Sequence, residues 1–379
     1  MTTQPDRPRT VVCGTSFGRV YLQAVHEAPD LELSGILSRG SAASRDLADS
    51  YGVPSYTDVD ELPDDTDIAC VVVRASVAGG AGSELSRRLL GRGVHVLQEH
   101  LLHPEELVAC LRASHESKAR FRVNAFYPHL AAVRRFLDAA RLLRERQRPL
   151  FVDAAAGGQV LYPLIDVMGR ALGGFRPWRF ADPDPVPADL EALSDTAAPY
   201  THLHGVVGGT PVSLRVQNQI APSDPDNHAL LLHRLSVAFE GGVLTLADTH
   251  GPVLWSPRMH SERDGTGRLI MAGPGTERLA VPSTEPLGPA SGPAYHDVFD
   301  QEWPGAVRTA LGELRADADD PVRAAAADQW ALTVTDVWHD VSGRIGPPVL
   351  LDPPTPEPVP LPDLFAERAA QTAPEGSRV

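Results

Sequence analysis

The sequence predicts an α/β fold in two parts: an N-terminal doubly wound parallel sheet, and a C-terminal α+β domain whose sheet is mainly antiparallel and open. Three observations predict it. Residues 10 to 125 alternate short β-rich runs with helical patterns, and the first run opens through a glycine turn into a helix. From Leu150 the strands lengthen, alternate polar with apolar residues, and follow one another without crossovers.

In order, the first part reads "TVVCG", a helix from about Phe17, "LELSGIL", a helix over about 41 to 51, "IACVVV", a helix from about Ala81, "VHVLQ", a helix from Pro104, and "RFRVNAF". Parallel neighbours need a crossover between them, and a helix after every apolar run supplies it. The second part reads "PVSLRVQNQI", "LLLHRLSVAFE" and "GVLTLADTH", with one helix near 163 to 172 and further helices at about 302 to 342. Alternation of period two buries one sheet face and leaves the other to water or a partner subunit. From Gly346 the chain is too rich in proline for regular structure and is expected to run extended. The domains expected are 1–128, 129–345, and a tail over 346–379.

With 379 residues and 42% hydrophobic content, the chain can bury two medium cores. A formal net charge of −15 disfavours non-specific binding to nucleic acid or an anionic membrane, which select for excess Lys and Arg. The three cysteines, Cys13, Cys70 and Cys110, sit in apolar or helical contexts without paired spacing, as buried thiols of a cytoplasmic protein would. The N-terminus lacks the apolar core of a signal peptide, and no stretch approaches the roughly 20 apolar residues of a membrane span.

The first βα turn, "VVCGTSFGRV", keeps the dinucleotide fingerprint only as Cys13, Thr15 and Gly18 in the three glycine places. Its context carries more weight. Ending a strand and opening a helix, Cys13, Gly14, Thr15, Ser16, Phe17 and Gly18 leave backbone N–H groups free for a pyrophosphate. An NAD site usually ends its second strand with a carboxylate for the ribose, but here "GILSRGSAASR" offers Ser38, Arg39 and Ser41. A carboxylate would repel a 2′-phosphate and this loop would bind it, so NADPH is the expected cofactor. Arg74 is expected past the third long strand, at the carboxyl edge of the sheet where ligands collect, although a surface arginine would fit the same position.

The segments "CGTSFGRVYL", "DIACVVVRA", "GRGVHVLQEHLLHPEEL" and "VNAFYPHLAAVRRF" together resemble the thiazolinyl imine reductases of siderophore and related nonribosomal peptide pathways. That family lies within the glucose-fructose oxidoreductase and inositol dehydrogenase superfamily. The superfamily's usual Glu-Lys-Pro becomes Glu99, His100, Leu101 here, so the lysine that serves alcohol oxidation is replaced by histidine. Registering the superfamily pattern D-x-G-x-H-x-x-D on Asp166 puts Gln159 and Pro163 where its aspartate and histidine would stand. The resemblance implies that Tyr127 and His100 are the candidate catalytic acids, and Gln98 and Glu99 are assigned to the cofactor. The chemistry agrees: hydride added to the carbon of a C=N bond leaves nitrogen in need of a proton. An intrinsic pKa near 6.5 makes histidine the easier donor, and one near 10 means tyrosine needs a perturbed setting or a relay.

The activity expected is NADPH-dependent reduction of a thiazolinyl thioester held on the carrier protein of a peptide synthetase, by a homodimer. A sugar or polyol dehydrogenase and a non-catalytic NADPH sensor are the alternatives, the first weakened by the replaced lysine. Two further features have plain readings beside functional ones. His202 and His204 in "YTHLHG" would share a strand face, but with no third ligand evident no metal is expected. The run "RRFLDAARLLRERQR" over 134 to 148 has six arginines against Asp138 and Glu145, so it is either a solvated helix face or a dock for an acidic carrier.

Overall fold

The computed structural model describes residues 7–73, 80–225, 227–359, 361–362 and 364–365. The first domain is a six-stranded parallel sheet: β1 (Arg9–Cys13), β2 (Glu32–Leu37), β3 (Ser55–Tyr56), β4 (Ile68–Val71), β5 (His95–Glu99) and β6 (Phe121–Asn124), in spatial order β3-β2-β1-β4-β5-β6. Its crossovers include α1 (Gly18–His26), α2 (Ala42–Tyr51), α3 (Ala81–Gly91) and α4 (Pro104–Ser117). Both sheet faces are covered, which is why the strands read as unbroken apolar runs. Val11, Cys13, Val71 and Val96 pack to one side, while Val12, Cys70 and Leu97 pack to the other. The short β3 was not anticipated.

After a helix α5 (Ala131–Arg144), the second domain places β7 (Phe151–Gly157), α6 (Leu161–Leu172), β8 (Trp178–Phe180), β9 (Thr201–Val207), β10 (Thr210–Gln217), β11 (His233–Phe239), β12 (Gly242–Leu246), β13 (Val253–Pro257) and β14 (Glu285–Pro286). These strands form one sheet in the order β14-β13-β12-β11-β7-β10-β9-β8, antiparallel except for β7 beside β10. Period-two alternation does what it predicts. His233, Leu235 and Val237 of β11 face the core, and Arg234 faces water. On the opposite, open face His202 and His204 of β9 stand exposed.

The last two helices, α7 (Trp303–Asp319) and α8 (Pro321–Ile345), were grouped with the second domain from sequence but pack against both. α7 lies on α1, and α8 lies on α4 and α6. Charge fixes the junction: Arg122 on β6 pairs with Glu313 and Asp317, and Arg120 donates to Asp328 at 2.6 Å. Trp330 donates its indole N–H to Asp166 on α6 at 2.6 Å. Of the tail, Val349–Leu350 adds as a parallel strand beside Gln219–Ile220, and residues 351 to 359 follow without regular structure. Among the described residues no helix is long and apolar enough to cross a membrane.

Candidate active site

The cofactor turn is built for an anion. Gly14 has φ +105°, and a Cβ there would sit 2.3 Å from the carbonyl oxygen of Val72, so only glycine lets β1 and β4 approach this closely. The α1 N-terminus has no side-chain cap and no acidic residue in its first turn. The uncapped helix end and its positive dipole suit a pyrophosphate at Thr15, Ser16, Phe17 and Gly18, whereas the Gly14 N–H, expected to be free, donates to the Leu37 carbonyl at 2.9 Å. Cys13 contributes backbone only: its thiol is buried under the sheet, where desolvation pushes its pKa up to about 12.

At the end of β2, Ser38 bonds Ser44 (2.9 Å), and Ser41 caps α2 by accepting from the Ser44 N–H at 3.2 Å. Arg39 is exposed beside them. Arg45, which sequence reasoning passed over, donates to the carbonyl of Gly40 and brings a second guanidinium to this loop. Arg74 lies outside the described residues. The side chain of Gln98 turns away from the strand edge, under α3, where Ser86 donates to its amide oxygen at 2.7 Å.

His100 follows β5 directly, and its position is over-determined. Its backbone N–H donates to the Asn124 carbonyl at 3.1 Å, joining the ends of two neighbouring strands. Its ring Nδ1 lies 3.0 Å from Glu99 Oε1 and 3.2 Å from the same Asn124 carbonyl. Both neighbours only accept, so Nδ1 carries the hydrogen. In the neutral ring Nε2 is then an acceptor, and it becomes a donor when the ring is charged. Glu99 is the end of a buried chain: Tyr21 on α1 donates to its Oε2, and Asn124 Nδ2 donates to the Tyr21 hydroxyl at 2.6 Å.

Asn124 also aims Tyr127. Its Oδ1 accepts the Phe126 N–H at 2.9 Å, and Phe126 adopts φ 62° and ψ −67°. The Tyr127 N–H closes the turn on the Ala125 carbonyl at 2.7 Å. This is a γ-turn in its strained form, rare for a bulky residue and concentrated at functional sites. Tyr127 was expected at a strand end; it sits one sharp turn beyond it. Phe126 is wedged between Phe17 of the cofactor turn and Trp303 of α7, with ring centroids 5.4 and 5.5 Å away.

The second domain supplies the opposing wall. Tyr162 on α6 stacks on the His100 ring at 5.8 Å and 9°, and His233 meets the Tyr127 ring edge-on at 4.7 Å. His233 donates through Nε2 to the Val160 carbonyl and accepts at Nδ1 from Thr249, both at 2.9 Å. Burial pushes its pKa down to about 4, so near neutral pH it packs against Tyr127 without being an acid itself. Gln159, just before Val160, buries both polar atoms of its amide with no hydrogen-bond partner among the described residues. Pro163 is buried in the first turn of α6. Tyr162 and His233 were missed. The available signal was His233 standing in phase with Leu235 and Val237 on an apolar strand face.

A cavity of about 260 Å³ opens on the far side of Tyr162, lined by Arg122, Asp166, Arg170, Glu313 and Asp317 among others. Arg122 pairs with Glu313 and Asp317 across the junction and Arg170 pairs with Asp166 within α6, so it is a seam of ion pairs. The two candidate acids, His100 and Tyr127, instead lie together beyond the carboxyl ends of β5 and β6, with ring centroids 6.4 Å apart.

Residues 8–125 match an oxidoreductase family with an NAD-binding Rossmann fold, and residues 147–256 match the C-terminal domain described as thiazolinyl imine reductase Irp3-like. No curated protein matches the chain. Among solved structures, KijD10, a 3-ketoreductase from Actinomadura kijaniata in complex with TDP-benzene and NADP, is 15% identical with TM-score 0.62, over 92% of this chain and 100% of that one. A putative myo-inositol dehydrogenase from Sinorhizobium meliloti is 15% identical with TM-score 0.57, over 87% and 95%. GenD2 of gentamicin A biosynthesis, in complex with NAD, is 13% identical with TM-score 0.58, over 89% and 94%. At such identities the likeness is one of fold.

Proposed function

We propose that this chain, whose first domain belongs to the NAD-binding Rossmann oxidoreductases and whose second is an Irp3-like thiazolinyl imine reductase domain, reduces the C=N bond of a carrier-tethered thiazolinyl thioester to a thiazolidinyl thioester with NADPH. The observation that carries this reading is the pairing of that second domain with His100 and Tyr127, in place of a lysine, at the ends of β5 and β6.

The turn after β1, with the α1 N-terminus, would hold the nicotinamide cofactor, which when bound would supply the hydride for the imine carbon. The electron pair of the C=N bond moves to nitrogen, which takes a proton from Tyr127 or His100 and forms N–H. A neutral Tyr127 can donate directly, whereas His100 donates from Nε2 as the imidazolium. Tyr162 and His233 wall both rings off and limit their motion.

NADPH is favoured over NADH because Arg39, with Ser38, Ser41 and Arg45 nearby, offers charge to a 2′-phosphate and no carboxylate opposes it. Arg39→Ala should weaken the Michaelis constant for NADPH by roughly 1.5 to 3 kcal/mol and leave that for NADH nearly unchanged. Equal effects would remove the assignment. The three buried thiols suit a cytoplasmic setting, and the open face of the second sheet suits a homodimer. For the carrier, the exposed Arg134, Arg146 and Arg148 of the 134 to 148 segment are the available contacts, because Arg141 pairs with Glu145 at 2.9 Å and Arg144 lies over Gly173.

The deciding experiment is turnover of a synthetic thiazolinyl thioester with NADPH, on a short surrogate and on a carrier protein, beside a panel of sugars and polyols with NADP. Reduction of the thioester alone upholds the reading. Oxidation of a polyol alone would replace it with the sugar dehydrogenase reading that the fold neighbours suggest, and turnover of neither would favour a sensor.

A further inference from the structure

His100 is one of the two proton donors in the reading above, but nothing in that chemistry explains why a carboxylate is walled in behind it. Glu99 is nearly buried, and its carboxylate has a defined partner on each oxygen: His100 Nδ1 at 3.0 Å on Oε1, and the Tyr21 hydroxyl on Oε2. Asn124, fully buried, donates to Tyr21 at 2.6 Å and lies 3.5 Å from Glu99 Oε2. Burying a carboxylate is unfavourable unless it is paired and hydrogen-bonded, so a set this complete implies that the charge is used. Three elements of the first domain, α1, β5 and β6, converge on one side chain.

The other groups facing the ring do not compete for that role. Asn124 presents a backbone carbonyl, Tyr127 and Tyr162 present aromatic rings, and His233, across Tyr127, is held uncharged by burial. Behind Glu99, burial and the carboxylate keep Tyr21 protonated. Among the described residues, Glu99 is the one carboxylate in hydrogen-bond contact with His100.

We propose that Glu99, gripped by Tyr21 and Asn124, is a positioning residue that fixes the hydrogen of His100 on Nδ1 and orients the ring, so that Nε2 is the nitrogen presented to the substrate. This rests on the reading of His100 as a proton donor. It adds that the donor is a two-residue unit, in which Glu99 holds the ring through Nδ1 and leaves Nε2 to the reacting atom. Tyr21 links that unit to the helix whose N-terminus faces the cofactor.

The test uses the full-length protein with ¹⁵N-labelled histidine, His100 being identified by the signal lost in His100→Gln. Ring-nitrogen shifts followed from pH 5 to 9 report tautomer and charge without any substrate. The wild-type neutral ring should read as the Nδ1–H tautomer. In Glu99→Gln, which is close to isosteric but can turn an N–H toward the ring, the Nδ1–H form should lose its dominance and the Nε2–H form should become detectable. Tyr21→Phe keeps the carboxylate and should leave the tautomer in place, whereas a merely structural network would make the two variants alike. An Nε2–H tautomer in wild type overturns the proposal even if Glu99→Gln does not fold. So does an unchanged tautomer in Glu99→Gln; if the Michaelis constant for the cofactor then rises, Glu99 is a cofactor ligand instead. Loss of thiazoline turnover, by contrast, bears on the reductase reading, which these spectra do not use.

Discussion

Around His100 the first domain gives Glu99, Tyr21 and Asn124 protein partners on every side-chain polar atom, whereas Gln159 in the second domain buries both ends of its amide with none among the described residues. The two regions sit on either side of the same aromatic contact: Tyr162, three residues after Gln159, stacks on His100. A satisfied network is rigid before any ligand arrives. An unsatisfied buried amide carries a penalty of about 1 to 3 kcal/mol until something bonds to it. The difference teaches that protein partners fix the buried polar groups of the first domain's network, whereas among the described residues none fixes the amide of Gln159.

The largest effects should come from breaking the pre-set side. Tyr127→Phe and His100→Ala should each lower kcat by about 10² to 10⁴, the range of general acid catalysis, with NADPH binding nearly intact. Measured on the thiazolinyl surrogate, wild-type rates in both variants would remove the proton-donor assignment. A large loss in one alone would name the donor and leave the other ring to orient it.

Both candidate acids were legible in the sequence through "QEHLLHP" and "NAFYPHL", and the parallel sheet was legible because buried parallel strands are apolar runs with helices between them. What joins the acids was not. Tyr21, Glu99 and Asn124 are far apart in sequence and meet because β5 and β6 are neighbours with α1 packed across them. The turn that aims Tyr127 depends on a positive φ at Phe126, a residue type that gives no hint of it. Tyr162 and His233 come from the second domain, where period-two alternation showed which face was buried but not which buried residues would meet His100 and Tyr127. The two-residue β3 was too short to leave a pattern.

Acid should separate the regions next. His233 and His129 are both buried with pKa values pushed down to about 4 by desolvation, against 6.5 for an unperturbed histidine. A histidine depressed in the folded state stabilises the fold fully above pH 6.5. That stability is lost as pH falls toward 4, because the unfolded chain takes up the proton first. Each group contributes on the order of 3 kcal/mol across that window. Urea midpoints followed from pH 7.5 to 4.5 should fall steeply, and His233→Gln should flatten the slope by about one proton. A slope unchanged by that substitution would mean that His233 is not held neutral, and that the second domain's wall is wetter than its packing implies.

The smallest effect is the most direct reading of the comparison, because one kind of change should give opposite signs on the two sides. Gln159→Met keeps nearly the same length and removes an amide with no partner, so the protein without substrate should gain about 1 kcal/mol in urea unfolding. Asn124→Leu removes an amide whose hydrogen bonds hold Tyr21 and the Phe126 turn, and should lose about 1 to 3 kcal/mol in the same measurement. Substrate should reverse the ranking for Gln159: its Michaelis constant rises several-fold in Gln159→Met, by the worth of a hydrogen bond of about 1 kcal/mol, while kcat changes less. If Gln159→Met instead destabilises the protein and leaves the Michaelis constant alone, ordered water already satisfies that amide. The second domain would then be as finished as the first, and recognition of the thiazoline would have to come from the aromatic walls.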